Sequence, residues 1–432
     1  MAEILPFRGI RFDEARAGPL SDLVAPPYDV IDPTLQEILY RRSPHNIVRI
    51  DLPKPQPEPE PYAGAATTLR DWLERGILRR DEAPAIYVTE EEFEIHGRRR
   101  RRTGMVALVR LVELGDGIHP HEHTLSGAKL DRLRFLRATR ANIGHVFGLF
   151  NDTSGDLDTI LEKAKRGTPL GEARDIEGTR RILWAIRDVG TISRIRSAMR
   201  QREIYLADGH HRYETALAYM KEHPESPAAR YRMMTLVSVR DSGLVILPTH
   251  RLVLGRTGFY AEQLLQSLQV NFHVEPVASG AESAKALLDA LAARRGTHVF
   301  GLCLRGERRY LLRLQPRAAL PGAGRAAVWR RLDAVIFQTL ILEHALGIRS
   351  EDVAEGRCVE YVKDFEPDIR AALEKVESGV AHALFLLNPP QPEEVQAVAA
   401  AGERMPQKTT FFYPKVYSGM VMRMLEDNEV CT

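Results

Sequence analysis

The sequence predicts an α+β protein with a mixed-sheet core and a second, α/β domain at its C-terminal end. Three observations carry that prediction. Runs of strand character and amphipathic helical stretches intermingle without strict alternation, which disfavours a doubly wound parallel sheet. A long hairpin pattern stands early, with one strand over 86–95, a turn at His96-Gly97 and a return through Val106, Leu108 and Val109. From about residue 256 strands and helices follow one another more regularly. An N-terminal α+β domain over 1–255 and a C-terminal α/β domain over 256–432 are therefore expected, and 432 residues suffice for both cores.

Taken in order, Ala25-Pro26-Pro27-Tyr28-Asp29-Val30-Ile31 is a rigid turn entering an apolar pair. Pro53, Pro55, Pro57, Pro59 and Pro61 alternate with Lys, Gln and Glu and predict a stiff connector. Leu69, Trp72, Leu73 and Ile77 share one side of a helix over 62–76. On the hairpin, five consecutive arginines, 98–102, face Glu90, Glu91, Glu92 and Glu94 on the partner strand. Cross-strand neutralisation explains them better than a nucleic-acid patch. Further strands are expected at 203–207, 233–239 and 244–247. Beyond 256 come helices at 261–268 and 282–293, strands at 270–277, 299–304 and 310–314, and an apolar helix over 328–346 stopped by Gly347. A strand at 383–387, a helix at 393–400 and a final strand and helix within 410–425 complete the pattern.

Composition is that of an ordinary globular protein, 44% hydrophobic and 27% charged. The net charge of +2 provides no field for nucleic acid. Cys303, Cys358 and Cys431 are odd in number and far apart, which argues against a disulfide framework and fits a reducing compartment. Charges and Pro6 interrupt the first residues, and no stretch approaches the roughly 20 apolar residues of a membrane span. A soluble, cytoplasmic protein without membrane partners is expected; oligomeric state is left open.

The most informative stretch is Asp208-Gly209-His210-His211-Arg212. It lies between the strand at 203–207 and a helix whose Tyr213, Ala216, Leu217 and Met220 form one apolar face. A helix start offers unpaired N–H groups and partial positive charge, which suit a phosphate. Asp208 can cap the helix, Gly209 permits a tight turn, and Arg212 can grip an oxyanion. His210 and His211 add proton-transfer capacity near neutral pH. A second polar cluster is His119-Pro120-His121-Glu122-His123-Thr124. His119, His121 and His123 would share one face of an extended segment and could chelate a metal, although Pro120 interrupts pairing; a polar loop feeding a pocket is the better reading. Lys129 and Arg132 sit on a basic helix and could face anionic oxygens. Arg404-Met405-Pro406-Gln407-Lys408-Thr409-Thr410 and Tyr413-Pro414-Lys415 concentrate further polar groups.

Leu206-Ala207-Asp208-Gly209-His210-His211-Arg212-Tyr213-Glu214-Thr215-Ala216 resembles a prokaryotic family catalogued as domain of unknown function 1015. Ala25-Pro26-Pro27-Tyr28-Asp29-Val30, His121-Glu122-His123-Thr124, Leu247-Pro248-Thr249-His250-Arg251 and the stretch 405–415 extend the likeness over nearly the whole chain. The shorter box at Asp208, Gly209, His210 and Arg212 is similar to the phosphate-binding box of the ParB/sulfiredoxin superfamily, which includes partition CTPases, sulfiredoxin and free-serine kinases. Sulfiredoxin carries a cysteine where His210 stands. The likeness implies a ParB/sulfiredoxin-like nucleotide-binding unit in the first domain.

The resulting reading is a phosphotransferase moving a phosphoryl group between ATP or ADP, with Mg2+, and a small hydroxylated metabolite such as serine. Its catalytic candidates are His210, His211, Asp208 and Glu122. Its phosphate or nucleotide contacts are Gly209, Arg212, His121, Lys129 and Arg132, and no protein metal ligands are assigned. Three alternatives stand beside it: a phosphoserine-type phosphatase, a non-catalytic nucleotide-sensing protein, and a metallohydrolase built on the three histidines.

Overall fold

The computed structural model describes residues 2–55, 60, 62–124, 126–255, 258–277, 283–354 and 356–426. The proline connector at 53–61 lies mostly outside the described residues. The chain forms two compact units. One comprises the residues up to Pro120, Thr124–Val245 and the chain from Pro414 onward; the other comprises His121–His123 and Ile246–Tyr413. This division differs from a cut at 255/256 by residues 246–255, by His121–His123 and by the C-terminal segment from Pro414.

The first unit is α+β around a mixed sheet of nine strands among the described residues. Its order is Ile118–His119, Ile204–Asp208, Val146–Phe150, Tyr231–Ser238, Arg98–Arg110, Ile86–Ile95, Arg180–Ile186 and Gly171–Arg174, with Ile4–Leu5 also paired to Arg98–Arg110. Val146–Phe150 runs parallel to Tyr231–Ser238, and Ile118–His119 parallel to Ile204–Asp208; the other pairings are antiparallel. Side-chain alternation on the central strand splits the core in two. Val106 and Leu108 enter a cluster with Phe7, Leu69 and Trp72, whereas Met105, Ala107 and Val109 enter one with Leu157, Ile195 and Leu206. Apolar burial on both faces places the sheet between helical layers.

The hairpin forms as the sequence predicts, and its charges pair across the strands. Glu91 stands opposite Arg102 on one side and Arg181 on the other. It accepts from Arg102 Nε at 2.9 Å and Arg181 Nη1 at 3.1 Å, while Arg181 also pairs with Asp175 at 2.8 Å. All four side chains are buried, which makes this an interior ionic row in place of a solvated patch.

The second unit holds a six-stranded sheet in the order Phe272–Val277, Arg308–Leu314, Val299–Leu304, Ala381–Leu387, Thr249–Leu254 and Val359–Lys363. Every one of these pairings is antiparallel, so the expected α/β character is corrected to α+β. A regular succession of strands and helices does not by itself fix strand direction: here neighbours such as Val299–Leu304 and Arg308–Leu314 join through a short turn.

Two helices also differ from expectation. The apolar run at 328–346 breaks at Leu332, whose extended backbone (φ −66°, ψ 130°) separates Ala327–Arg330 from Asp333–Ile336, followed by a π-helical turn over Phe337–Ala345. Burial of Val335, Ile336, Phe337 and Ile341 satisfies the apolar pattern in either form. No helix follows the strand Phe411–Tyr413 among the described residues. Tyr417, Met420, Val421 and Met422 instead enter the first unit's core from irregular chain, and Arg423–Met424 pairs with Ala141–Asn142.

Candidate functional site

Strand Ile204–Asp208 hands over to helix His210–Glu222 across one residue, Gly209. Its backbone is left-handed (φ 85°, ψ 29°), and a Cβ there would lie 3.3 Å from Arg212 Cζ and from Val146 Cα. Glycine therefore meets both a conformational and a steric demand. Asp208 does not cap the helix from the N-cap position, which Gly209 occupies. Its carboxylate accepts from the Gly209 N–H at 2.6 Å and from Lys415 Nζ at 2.7 Å. Burial alone would raise its pKa, but Lys415, Arg212 and His210 outweigh burial and hold it well below the usual carboxylate range.

Arg212 folds back beneath this turn. It is only 7% exposed, its Nη1 donates to the His145 carbonyl, and its Nη2 lies 3.7 Å from Asp208. Burial works against its charge, yet Asp29, Asp208, Tyr28 and Asp51 together raise its pKa. His210 is buried and His211 half-buried at the head of the helix. Neither is among the described residues lining the cavity beside the turn.

That cavity measures about 30 Å³, and its polar lining is Arg132, Arg212, Arg232, Asp51, Tyr28 and Thr215. Arg132, on helix Ser126–Thr139, donates to the Asp51 carbonyl at 3.0 Å and to Tyr62 Oη at 2.6 Å, and lies 4.0 Å above the Tyr28 ring. Arg232, on Tyr231–Ser238, donates through Nη2 to the Gly144 carbonyl at 2.5 Å, while its buried Nε has no hydrogen-bond partner. Burial, then the neighbouring Arg212 and Arg423, lower its pKa to about 9. The Asp51 carboxylate accepts from Ser418 Oγ at 2.9 Å, and burial pushes its pKa up against the pull of Arg132 and Arg212. Gly144 forms the floor: a Cβ there would stand 3.2 Å from Arg212 Nη1, 3.4 Å from Ser418 Oγ and 3.7 Å from Asp51 Oδ2.

Of the sequence candidates, Arg132 and Arg212 are thus brought together, with Asp208 beside Arg212. Lys129 is held by Glu214 at 2.9 Å, and Glu214 also accepts from Thr124. His121 and Glu122 belong to the second unit, where Thr410 Oγ1 lies 3.0 Å from His121 Nε2 and 3.4 Å from Glu122 Oε1. His119 belongs to the first, stacked on Tyr205 and 3.3 Å from Glu203. Among the described residues no group of three His, Cys, Asp or Glu side chains could hold a metal ion. Sequence reasoning missed Asp51, Arg232, Gly144 and Ser418; Tyr28, Thr215 and Lys415 lay in stretches already marked but were not assigned to the site.

His145, next to Gly144, shows how closed this region is. Its ring nitrogens face Thr235 Oγ1 at 2.8 Å and the Val421 carbonyl at 3.0 Å, and burial lowers its pKa from 6.5 to about 4. Between those values the unfolded chain carries a proton that the folded chain excludes, so stability falls with falling pH. From pH 7 to pH 5 this group should remove about 2 kcal/mol from the unfolding free energy. Urea titrations at both pH values check this: His145→Gln should flatten the difference, and an unchanged slope would contradict the assignment.

Sequence comparison places the chain in a family. It belongs to the proteins of unknown function grouped as DUF1015, whose family profile matches residues 4–335. No curated protein matches it. Among solved structures it is similar to a free serine kinase in complex with ADP, at 12% identity and TM-score 0.35, covering 72% of this chain and 87% of that one. SbnI with a C-terminal truncation, from Staphylococcus aureus, shows 13% identity and TM-score 0.34 over 72% and 85%. A conserved hypothetical protein from Pyrococcus furiosus shows 15% and 0.34 over 75% and 96%. No helix among the described residues is long and apolar enough to cross a membrane.

Proposed function

We propose that this chain is a phosphotransferase that moves a phosphoryl group between a nucleotide, ATP or ADP, and a small hydroxylated metabolite such as serine. The observation that supports this most is the buried concentration of guanidinium charge beside the Gly209 turn, where Arg132, Arg212 and Arg232 share one cavity wall. Preorganised cations in a water-poor site stabilise charge developing on phosphoryl oxygens without reorganising during the reaction. The first N–H groups of helix His210–Glu222 add a partial positive charge at the same corner.

In this reading Arg212 and Arg132 steady the phosphoryl oxygens. Asp208, fixed by Lys415 and Gly209, holds Arg212 and His210 in place. His211, the more exposed imidazole, exchanges the proton of the acceptor hydroxyl, with His210 its alternate. His121 and Glu122, tied to Thr410, and Lys129, tied to Glu214, are the weaker members of the assignment. The nucleotide is inferred from the likeness of the Asp208–Arg212 box to the ParB/sulfiredoxin superfamily. Mg2+ usually keeps several waters and binds through phosphates with one or two carboxylates, so it needs no three-residue protein cluster. Asp29 and Asp51 are carboxylates whose charge acts on Arg212 and which Lys415 does not hold. The test is incubation with ATP or ADP and a panel of amino acids in Mg2+-replete buffer, with mass spectrometry of the small molecules. A phosphorylated amino acid is the expected product; none across the panel contradicts the proposal.

A further inference from the structure

We propose that the cavity walled by Arg132, Arg212 and Arg232 seats one tetrahedral oxyanion, the phosphomonoester end of a small metabolite or free inorganic phosphate, and that it does not seat the nucleotide. The phosphoryl-transfer reading supplies the metabolite's place in the reaction. The anion seat itself follows from the charges.

Each arginine has a different share of compensation. Arg132 pairs with Asp131 at 2.8 Å, and Arg212 lies 3.7 Å from Asp208, which Lys415 already holds. Arg232 makes no ion pair among the described residues; its one bond runs to the neutral Gly144 carbonyl. It is 5% exposed, it lines the cavity, and its Nε has no acceptor. A buried cation in this state costs several kcal/mol unless an anion joins it, and a buried donor left unbonded adds to that cost. The lining carries three guanidinium groups and one carboxylate, Asp51, while Asp131 and Asp208 partner Arg132 and Arg212 from outside it, so Arg232 is the surplus. An entering oxyanion meets the surplus directly.

Size and shape limit what enters. The cavity, about 30 Å³, has room for a few waters at most, and a tetrahedral oxyanion is of that order. A nucleoside is not. Over Gly144, Arg212 Nη1 and Ser418 Oγ approach one point from different elements; the guanidinium is the donor there, since the Ser418 hydroxyl proton goes to Asp51. Asp51 Oδ2 reaches the same point; bonded by Ser418 and deeply buried, it would accept from a protonated anion oxygen or donate when protonated itself.

The test titrates the full chain with inorganic phosphate alone, by calorimetry, in chloride-balanced buffer. Wild type should bind one phosphate per chain, displaceable by phosphoserine and by neither serine nor ADP. Arg232→Met, which replaces an uncompensated cation by an apolar chain of similar length, should weaken phosphate at least 10-fold while leaving the urea midpoint unchanged or raised. Should that variant fail to fold, Gly144→Ala carries the same test, since its methyl group would narrow the seat; at least a 5-fold loss is expected. Absence of phosphate binding by wild type, displacement by ADP or by serine, or undiminished binding in the folded variant overturns the inference. Phosphate binding without any phosphoryl transfer upholds the seat and removes only the reading of the reaction. Transfer without a phosphate site does the reverse.

Discussion

Arg212→Met is expected to lower phosphoryl transfer by about 10³-fold while the protein stays folded, the order seen when a preorganised oxyanion donor is removed. The residue stands where the turn and the cavity meet, with Nη1 on the His145 carbonyl and Nη2 towards Asp208. Methionine keeps most of the apolar stem but removes every donor. Arg212→Lys keeps the charge and loses the planar fork, so it should recover less than a tenth of wild-type turnover. The rate at saturating substrate, read beside the urea midpoint, separates lost chemistry from lost structure. Turnover of the methionine variant within threefold of wild type would remove Arg212 from the mechanism.

The largest effect on stability is expected from Glu91→Ala, about 3–5 kcal/mol, the usual cost of breaking a buried ion pair from one side. Glu91 is the carboxylate shared by Arg102 and Arg181, and the sheet interior gives neither arginine access to water. Asp175 still holds Arg181, and the Pro414 carbonyl still accepts from Arg102 Nη2 at 2.7 Å, but Arg102 loses the carboxylate bonded to its Nε. Adding Arg102→Met to Glu91→Ala should recover part of the loss, because it removes one of the two buried cations that Glu91 neutralises. Urea unfolding of the single and double variants checks both statements. A loss below about 1 kcal/mol in the single variant would show that water reaches the row.

What the sequence reveals here depends on how far apart the cooperating residues lie. The hairpin's ionic row is legible because Glu91 and Arg102 are 11 residues apart on adjacent strands, and a turn at 96–97 sets their register. The Asp208–Arg212 corner is legible because five neighbouring residues make it, although their order does not say that Arg212 turns inward while His211 stays more open. The cavity is not legible. Arg132 meets the Asp51 carbonyl across 81 positions and Ser418 meets the Asp51 carboxylate across 367, which no periodicity links. Arg232 left one faint signal, a lone charge ahead of Met233, Met234, Leu236 and Val237 in a strand buried throughout most of its length. The misread final helix has the converse cause: Tyr417, Met420 and Val421 have helical spacing but fill the core from irregular chain.

Phosphorus NMR of the protein with ATP, Mg2+ and serine, wild type beside Arg212→Met, most directly tests whether the Gly209 corner handles phosphate. A new phosphomonoester resonance that grows with wild type and is nearly absent with the variant is the predicted result. Equal spectra from the two proteins, with or without that resonance, would contradict it.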